Sequence, residues 1–265
     1  MRLLVVGALG VALAGCPVAR VERPYAAPSA AEIVAALKAR VAHAGALRIE
    51  AKVDYLEDKG ERVKLTMTFL VAAPDRLRID AESPIGGATI ASLASDGRDF
   101  ALLDVEHGRF LVGPSAPCNI ARLIKVALAP ADVVAVFAGG APLLGDPVAV
   151  AWSGDDGGRE LLTLRAAGGD LETIRLTPRG ASGGGWDVVS VRVAGADGRV
   201  RWSLDNDLFS DGDPRLPSRI HIEEPARGVD VRLRVKDVER DVKPPDNVFV
   251  LVPPAGIPAE PVRCD

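Results

Sequence analysis

Cysteine and histidine are both scarce in this chain, at three residues each among 265. His43, His107 and His221 stand far apart, with no spacing that would gather them as metal ligands or as the base of a catalytic triad. A surplus of positive charge is also missing. The formal net charge is −4 and the basic residues are scattered, so no nucleic-acid footprint is expected. Beyond residue 14 no apolar run is long enough to cross a bilayer, which takes roughly 20 helical residues. There is no Gly-x-Ser-x-Gly elbow and no His-Glu-x-x-His. Ala181-Ser182-Gly183-Gly184-Gly185 is glycine-rich but lacks the Lys-Ser/Thr ending of a phosphate loop, and it reads as a hairpin turn. The acidic stretch from Asp205-Asn206-Asp207 to Asp211-Gly212-Asp213 misses the ligand spacing of a calcium loop and reads as a solvated loop. The residues themselves suggest no enzyme, no cofactor and no metal.

What is present begins at the N-terminus. Arg2 is followed by an unbroken run of small and apolar residues over 3–14, too short for a membrane span but suited to the hydrophobic stretch of a secretory signal. It ends in Leu13-Ala14-Gly15-Cys16, small residues before a cut and a thiol just after it. This resembles the lipobox of bacterial lipoproteins. The expectation is a signal peptide over 1–15, a diacylglyceryl lipid on Cys16 and a flexible Pro/Ala-rich tether over 16–30. The alternative is an ordinary secretion signal with an accidental cysteine. In the oxidising compartment that either reading implies, Cys118 and Cys264 form an even remaining pair. A disulfide between them is expected, with two free thiols as the alternative because sequence cannot fix their separation.

Ser29, with Glu32 three residues on, opens a capping box, and Ile33, Val34, Leu37 and Val41 recur at helical spacing up to His43 and a stop at Gly45. The period then changes to two. Through residues 47–55 every odd residue is apolar and every even one charged, and 62–69, 76–80 and 229–236 repeat the alternation of apolar and polar residues, with Thr66 and Thr68 in place of charges. Such alternation predicts antiparallel strands with one dry face and one wet face. Asp58-Lys59-Gly60 and Ala73-Pro74-Asp75 supply turns. Midway the pattern breaks into two short apolar helices over 118–126 and 131–137, the second with Pro130 near its start. The predicted fold is mainly β with helices: a curved antiparallel half-open β-barrel of about eleven strands with a helical lid. It spans 31–256, followed by a C-terminal tail over 257–265.

Three stretches stand out: Asp75-Arg76-Leu77-Arg78-Ile79-Asp80 running into Ser83-Pro84-Ile85-Gly86-Gly87, then Asp96-Gly97-Arg98, and last Val235-Lys236-Asp237-Val238 followed by Pro245-Asp246-Asn247-Val248-Phe249 and Pro253-Pro254-Ala255-Gly256. In their order they resemble the LolA/LolB-like superfamily of lipoprotein carriers and outer-membrane receptors. The lipobox favours the anchored, LolB-like receptor branch, although the aromatic content of 4% is low for that branch. The resemblance implies a half-barrel whose apolar cavity takes up the acyl chains of lipoproteins, delivered by a periplasmic LolA-like carrier. The expected cavity walls are Val53, Leu65, Met67, Phe69, Leu77 and Ile79, with Ile120, Leu123, Val133 and Phe137 on the lid. Ile85 occupies the turn position at which the receptor branch exposes an apolar residue, and its plainer reading is a turn residue tucked against its neighbours. The expected location is the cell envelope, lipid-anchored and facing the periplasm, the outer membrane favoured over the inner. The competing readings are an envelope lipoprotein that reuses the fold as a sensor or scaffold, and a periplasmic hydrolase.

Overall fold

The computed structural model describes residues 20–264 apart from 57–59, 167, 181–184 and 213. The signal peptide, Cys16, and most of the turns expected at 58–60 and 181–185 lie outside the described residues. Helix α1 (Ala30–His43) is closed at its start by the expected capping box. The Ser29 amide donates to the Glu32 carboxylate (2.7 Å), and the Glu32 amide donates to the Ser29 hydroxyl (3.2 Å). Strands β1 (Ala46–Leu56), β2 (Arg62–Ala72), β3 (Arg76–Glu82), β4 (Thr89–Ser95), β5 (Asp99–Asp104) and β6 (Arg109–Pro114) follow as a meander. Next come α2 (Pro117–Ile124) and α3 (Pro130–Phe137), each with proline in its first turn. The second half contains β7 (Gly145–Ser153), β8 (Arg159–Ala166), β9 (Leu171–Pro178), β10 (Trp186–Ala194), β11 (Val200–Phe209), β12 (Pro217–Glu224), β13 (Val229–Glu239) and β14 (Ala259–Pro261).

All fourteen strands form one sheet in the order β14-β6-β5-β4-β3-β2-β1-β13-β12-β11-β10-β9-β8-β7. The two meanders meet where β1 pairs antiparallel with β13, so the first and last long strands lie at the centre. Register shifts between Glu50 and Ala51, and at four other ladders, add the local twist that curls the sheet. The edges never join, so the sheet is a half-open barrel. The segment between β6 and β7 connects its two opposite sides and carries α2 and α3, which is why the apolar helices fall in mid-chain. Helix α1 packs on β7 and β8, while α2 meets β4 and α3 meets β2 and β3.

The structure corrects three sequence readings. The count of about eleven strands becomes fourteen, partly because β14 pairs parallel with β6. That strand lies inside the stretch read as a tail, and three residues containing a proline carry too little alternation to be recognised. The acidic stretch starting at Asp205 is strand as far as Phe209, with Asn206 turned inward, 6% exposed and donating to the Val188 carbonyl at 3.0 Å. Aspartate-rich composition masked a period of two that the neighbouring strands impose. The tether is not loose over its described part. The Val21 amide donates to the Gly154 carbonyl (3.0 Å), the Trp152 indole donates to the Val21 carbonyl (2.8 Å), and Arg23 pairs at 2.8 Å with the fully buried Glu160.

Two further ties close the structure. Arg40 of α1 donates to the Trp186 carbonyl (2.6 Å) and pairs with the buried Asp187, which Arg215 also holds at 3.0 Å. On the outer face of the sheet, the chain after Pro245 runs across β3 and β4, and Phe249 and Leu251 line with the outward residues Ala94, Ala101 and Val112 an open hollow of about 440 Å³. Phe110 (1% exposed) and Phe249 (2%) are buried in this second layer.

Cys118 and Cys264 form the expected disulfide, with Cα atoms 6.0 Å apart. It fastens the start of α2 to the chain beyond β14 and closes a loop of 146 residues. Replacing Cys264 with serine is expected to remove about 2–4 kcal/mol of unfolding free energy. Urea denaturation of both proteins under oxidising conditions measures this, and overlapping transitions would show that the bond adds nothing to the packing around it.

Candidate functional site: the apolar hollow beneath the lid

The alternation read in the sequence decides what faces inward. Val53, Leu65, Met67, Phe69, Leu77 and Ile79 are all buried, none more than 8% exposed, and so are Ile120, Leu123, Val133 and Phe137 of the lid. These ten residues belong to one continuous hydrophobic cluster. The structure does not bring them all to one opening. A void of about 30 Å³ persists under the lid, and only Phe69, Val133 and Phe137 among the ten line it. Ile220, Ile222, Val231 and Leu233 of β12 and β13 form its other wall. Sequence reasoning placed the hollow on β1–β3 alone. The missed residues alternate as clearly, but that β13 lies beside β1 is a fact of topology.

A void of this size holds a water molecule or two and no acyl chain. The lid fills the rest. Every residue of α3 from Val133 to Phe137 is buried, and the rings of Phe69 and Phe137 lie 4.5 Å apart between centroids. The lid's backbone hydrogen bonds over residues 119–140 close within the lid itself. Its polar links to the sheet therefore come through side chains. Glu224 accepts from the Ala127 amide (3.0 Å) and is held in turn by Arg227 (2.7 Å), while Glu172 accepts from the Leu144 amide (2.8 Å). Most of the lid is held by non-directional apolar contact.

The turn from Ser83 to Ala88 carries the most exposed large apolar residue described. The Ser83 amide donates to the Ala88 carbonyl (2.8 Å) and the Ile85 amide donates to the Ser83 hydroxyl (3.2 Å). Gly86 and Gly87 both take positive φ (+79° and +67°), which folds the turn back and leaves Ile85 86% exposed at its tip. The tucked reading of Ile85 is therefore wrong. On the outer face His221, Glu223 and Asp230 bring one ligand atom each within 4.8 Å of one another. Asp230 there already accepts from Arg62 and Arg232, at 2.5 and 3.2 Å, which makes the group an ion-pair network.

Glu172 is buried beside the lid, and one of its carboxylate oxygens has no hydrogen-bond partner. Burial pushes its pKa from the ordinary 4.5 to about 7, against the lowering effect of the Leu144 amide and with help from Asp132 on α3. Burial likewise raises Asp132. A carboxyl that holds its proton more tightly when folded makes unfolding easier as pH rises. Stability is thus lost between about pH 4.5 and pH 7 and is flat above that window. At about 1.4 kcal/mol per pH unit the loss is on the order of 3 kcal/mol. Urea midpoints at pH 5 and pH 8 are expected to diverge for the wild type relative to Glu172→Gln, and parallel profiles would refute it.

No family model and no curated protein matches the sequence. Among solved structures, a LolA superfamily protein from Nitrosomonas europaea superposes with a TM-score of 0.59 at 14% identity, over 85% of this chain and 99% of that one. A domain from Vibrio parahaemolyticus, assigned provisionally to outer membrane lipoprotein sorting, gives 0.56 at 11% identity over 83% and 95%. A DUF1329 family protein from Desulfovibrio piger gives 0.54 at 13% identity over 82% and 96%. At such identities the likeness is one of architecture, and it extends over nearly the whole of each of these structures. The chain has the fold of the LolA superfamily.

Proposed function

We propose that this protein is a non-enzymatic, membrane-anchored lipoprotein receptor that binds acyl chains in the hollow under its lid and helps insert lipoproteins into the outer membrane. The observation that supports it most is the pairing of a continuous apolar concave face with a lid that covers it almost wholly by apolar contact. An acyl chain leaving water gains about 0.8 kcal/mol per CH₂. It needs no directional partner, so it can take the place of α3 side chains against Phe69, Ile220 and Leu233 once the lid swings out. Exchange of one apolar contact for another keeps the barrier low and the transfer reversible. Ile85, exposed on its two-glycine turn, is the residue that meets the acceptor bilayer. The Cys16 lipid holds the receptor at the membrane, and a LolA-like carrier brings the cargo. The likeness to a structure assigned to outer membrane lipoprotein sorting agrees with this reading.

A sensor or scaffold that keeps its lid shut is the second reading, and the nearly filled hollow is the observation in its favour. Native mass spectrometry of the purified protein with a triacylated lipopeptide separates the two. A one-to-one complex is expected, with higher occupancy in Phe137→Ala, where the lid gives up its largest inward side chain. Ile85→Glu is expected to leave this complex intact while slowing delivery of the lipopeptide to vesicles by about tenfold or more. If neither the wild type nor Phe137→Ala forms a complex at large lipopeptide excess, the receptor reading fails and the scaffold reading replaces it.

A further inference from the structure

The wet face of the sheet is not uniformly wet or evenly charged. Across its centre runs a groove of about 780 Å³, crossing from β2 through β1, β13 and β12 to β11. The strand registers place Thr66 opposite Lys52, Lys52 opposite Arg234, and Arg234 opposite Arg219. Three cations therefore stand side by side on adjacent strands, which lie about 4.8 Å apart. Lys64 and Arg232 add two more from the neighbouring row. Like charges directly opposite one another in a sheet are destabilising, and nothing in the fold itself calls for the arrangement.

Of this row the carboxylates of the groove engage only Arg219. Asp54 is bound by Arg62 at 2.6 Å, Asp207 faces Arg219 at 3.6 Å from the β11 flank, Asp205 on that flank forms no ion pair among the described residues, and Arg232 is drawn to Asp230. Among the described residues no carboxylate lies within ion-pair distance of Lys64 or Arg234, and Lys52 donates only to the Thr66 hydroxyl. All three cations are exposed. One end of the groove is walled by Pro84, and the next residue is the fully projecting Ile85.

We propose that this groove seats the anionic headgroups of membrane lipids, the phosphates meeting Lys52, Lys64 and Arg234 while Ile85 beside them enters the acyl layer. Charge complementarity selects an anion. The aliphatic residue at the rim selects a lipid surface over a soluble phosphate, for which an exposed isoleucine has no use. The surface would orient the receptor on its target membrane with the β3–β4 turn downward. It extends the receptor reading but is separable from it, because it involves neither the lid nor the hollow.

The test is vesicle co-sedimentation of the full chain carrying Cys16→Ser, with the lid untouched. Vesicles of phosphatidylcholine alone give the background from the apolar N-terminal segment, and vesicles with 30% phosphatidylglycerol give the signal. Binding to the anionic vesicles is expected to exceed that background and to weaken as salt is raised. The combined Lys52→Ala, Lys64→Ala and Arg234→Ala variant is expected to lose on the order of 100-fold in affinity for them at low salt. All three side chains are exposed, and an unchanged thermal transition checks that the variant folds. Equal binding to both vesicle types, or undiminished binding by a folded triple variant, overturns the proposal. So does release of the protein by millimolar inorganic phosphate at constant ionic strength, which would make a soluble anion the ligand. Lipopeptide uptake by the triple variant should be unchanged, so failure here and failure of the receptor reading are distinguishable.

Discussion

A curled sheet whose two edges never meet has an apolar inner face that water must not reach, and most of the remaining architecture answers that constraint. Each inward strand position contributes burial worth roughly 1.5–3 kcal/mol for a Leu, Ile, Val, Phe or Met side chain. Closing the barrel by hydrogen bonds would cover this face permanently. Here three helices cover it instead, and the two that lie between β6 and β7 connect the opposite sides of the opening. Cover made by side-chain contact can be exchanged for other apolar material. Cover made by a strand ladder cannot, because each amide lost to water and not replaced is costly.

The lid is fixed at its ends by polar and covalent ties and held between them by apolar contact. At one end the disulfide joins Cys118 to Cys264, and the Asn119 side chain donates to the Pro114 carbonyl at 2.9 Å. Beyond α3 the chain is held at Leu144 by Glu172, a carboxylate whose burial already disfavours its charge. Between the anchors, α3 contributes mostly apolar side chains. The C-terminal segment stiffens the other side of the same wall by packing Phe249 over β3 and β4, where the Arg76 guanidinium lies 5.0 Å from its ring. The wall thus has a second layer near the β6 edge, while the lid meets the sheet mainly through apolar side chains.

Much of this was legible in the sequence because alternation is a local property. Leu47 through Tyr55, with charges between the apolar residues, can bury one face only as a strand, and the structure has it so. The Ser29 and Glu32 capping box, the helix over 131–137 and the inward set from Val53 to Ile79 were legible for the same reason. The part of the hollow formed by Ile220 and Leu233 was not. Its location depends on β1 pairing with β13 across some 180 residues, and alternation within a strand carries no information about its neighbour. Asn206 and Asp207 were misread because their composition suggests a loop, while a ladder to β12 holds them extended.

The sequence by itself determined which residues face the core and where the helices interrupt the strands. Those outcomes follow from the periodicity and chemistry of neighbouring residues. Only the tertiary structure decided that the sheet stays open, that the hollow is nearly filled by α3, that Ile85 projects, and that Lys52, Arg234 and Arg219 stand in one row. Each of these depends on long-range strand pairing, which brings together residues whose separation along the chain says nothing of their distance in space.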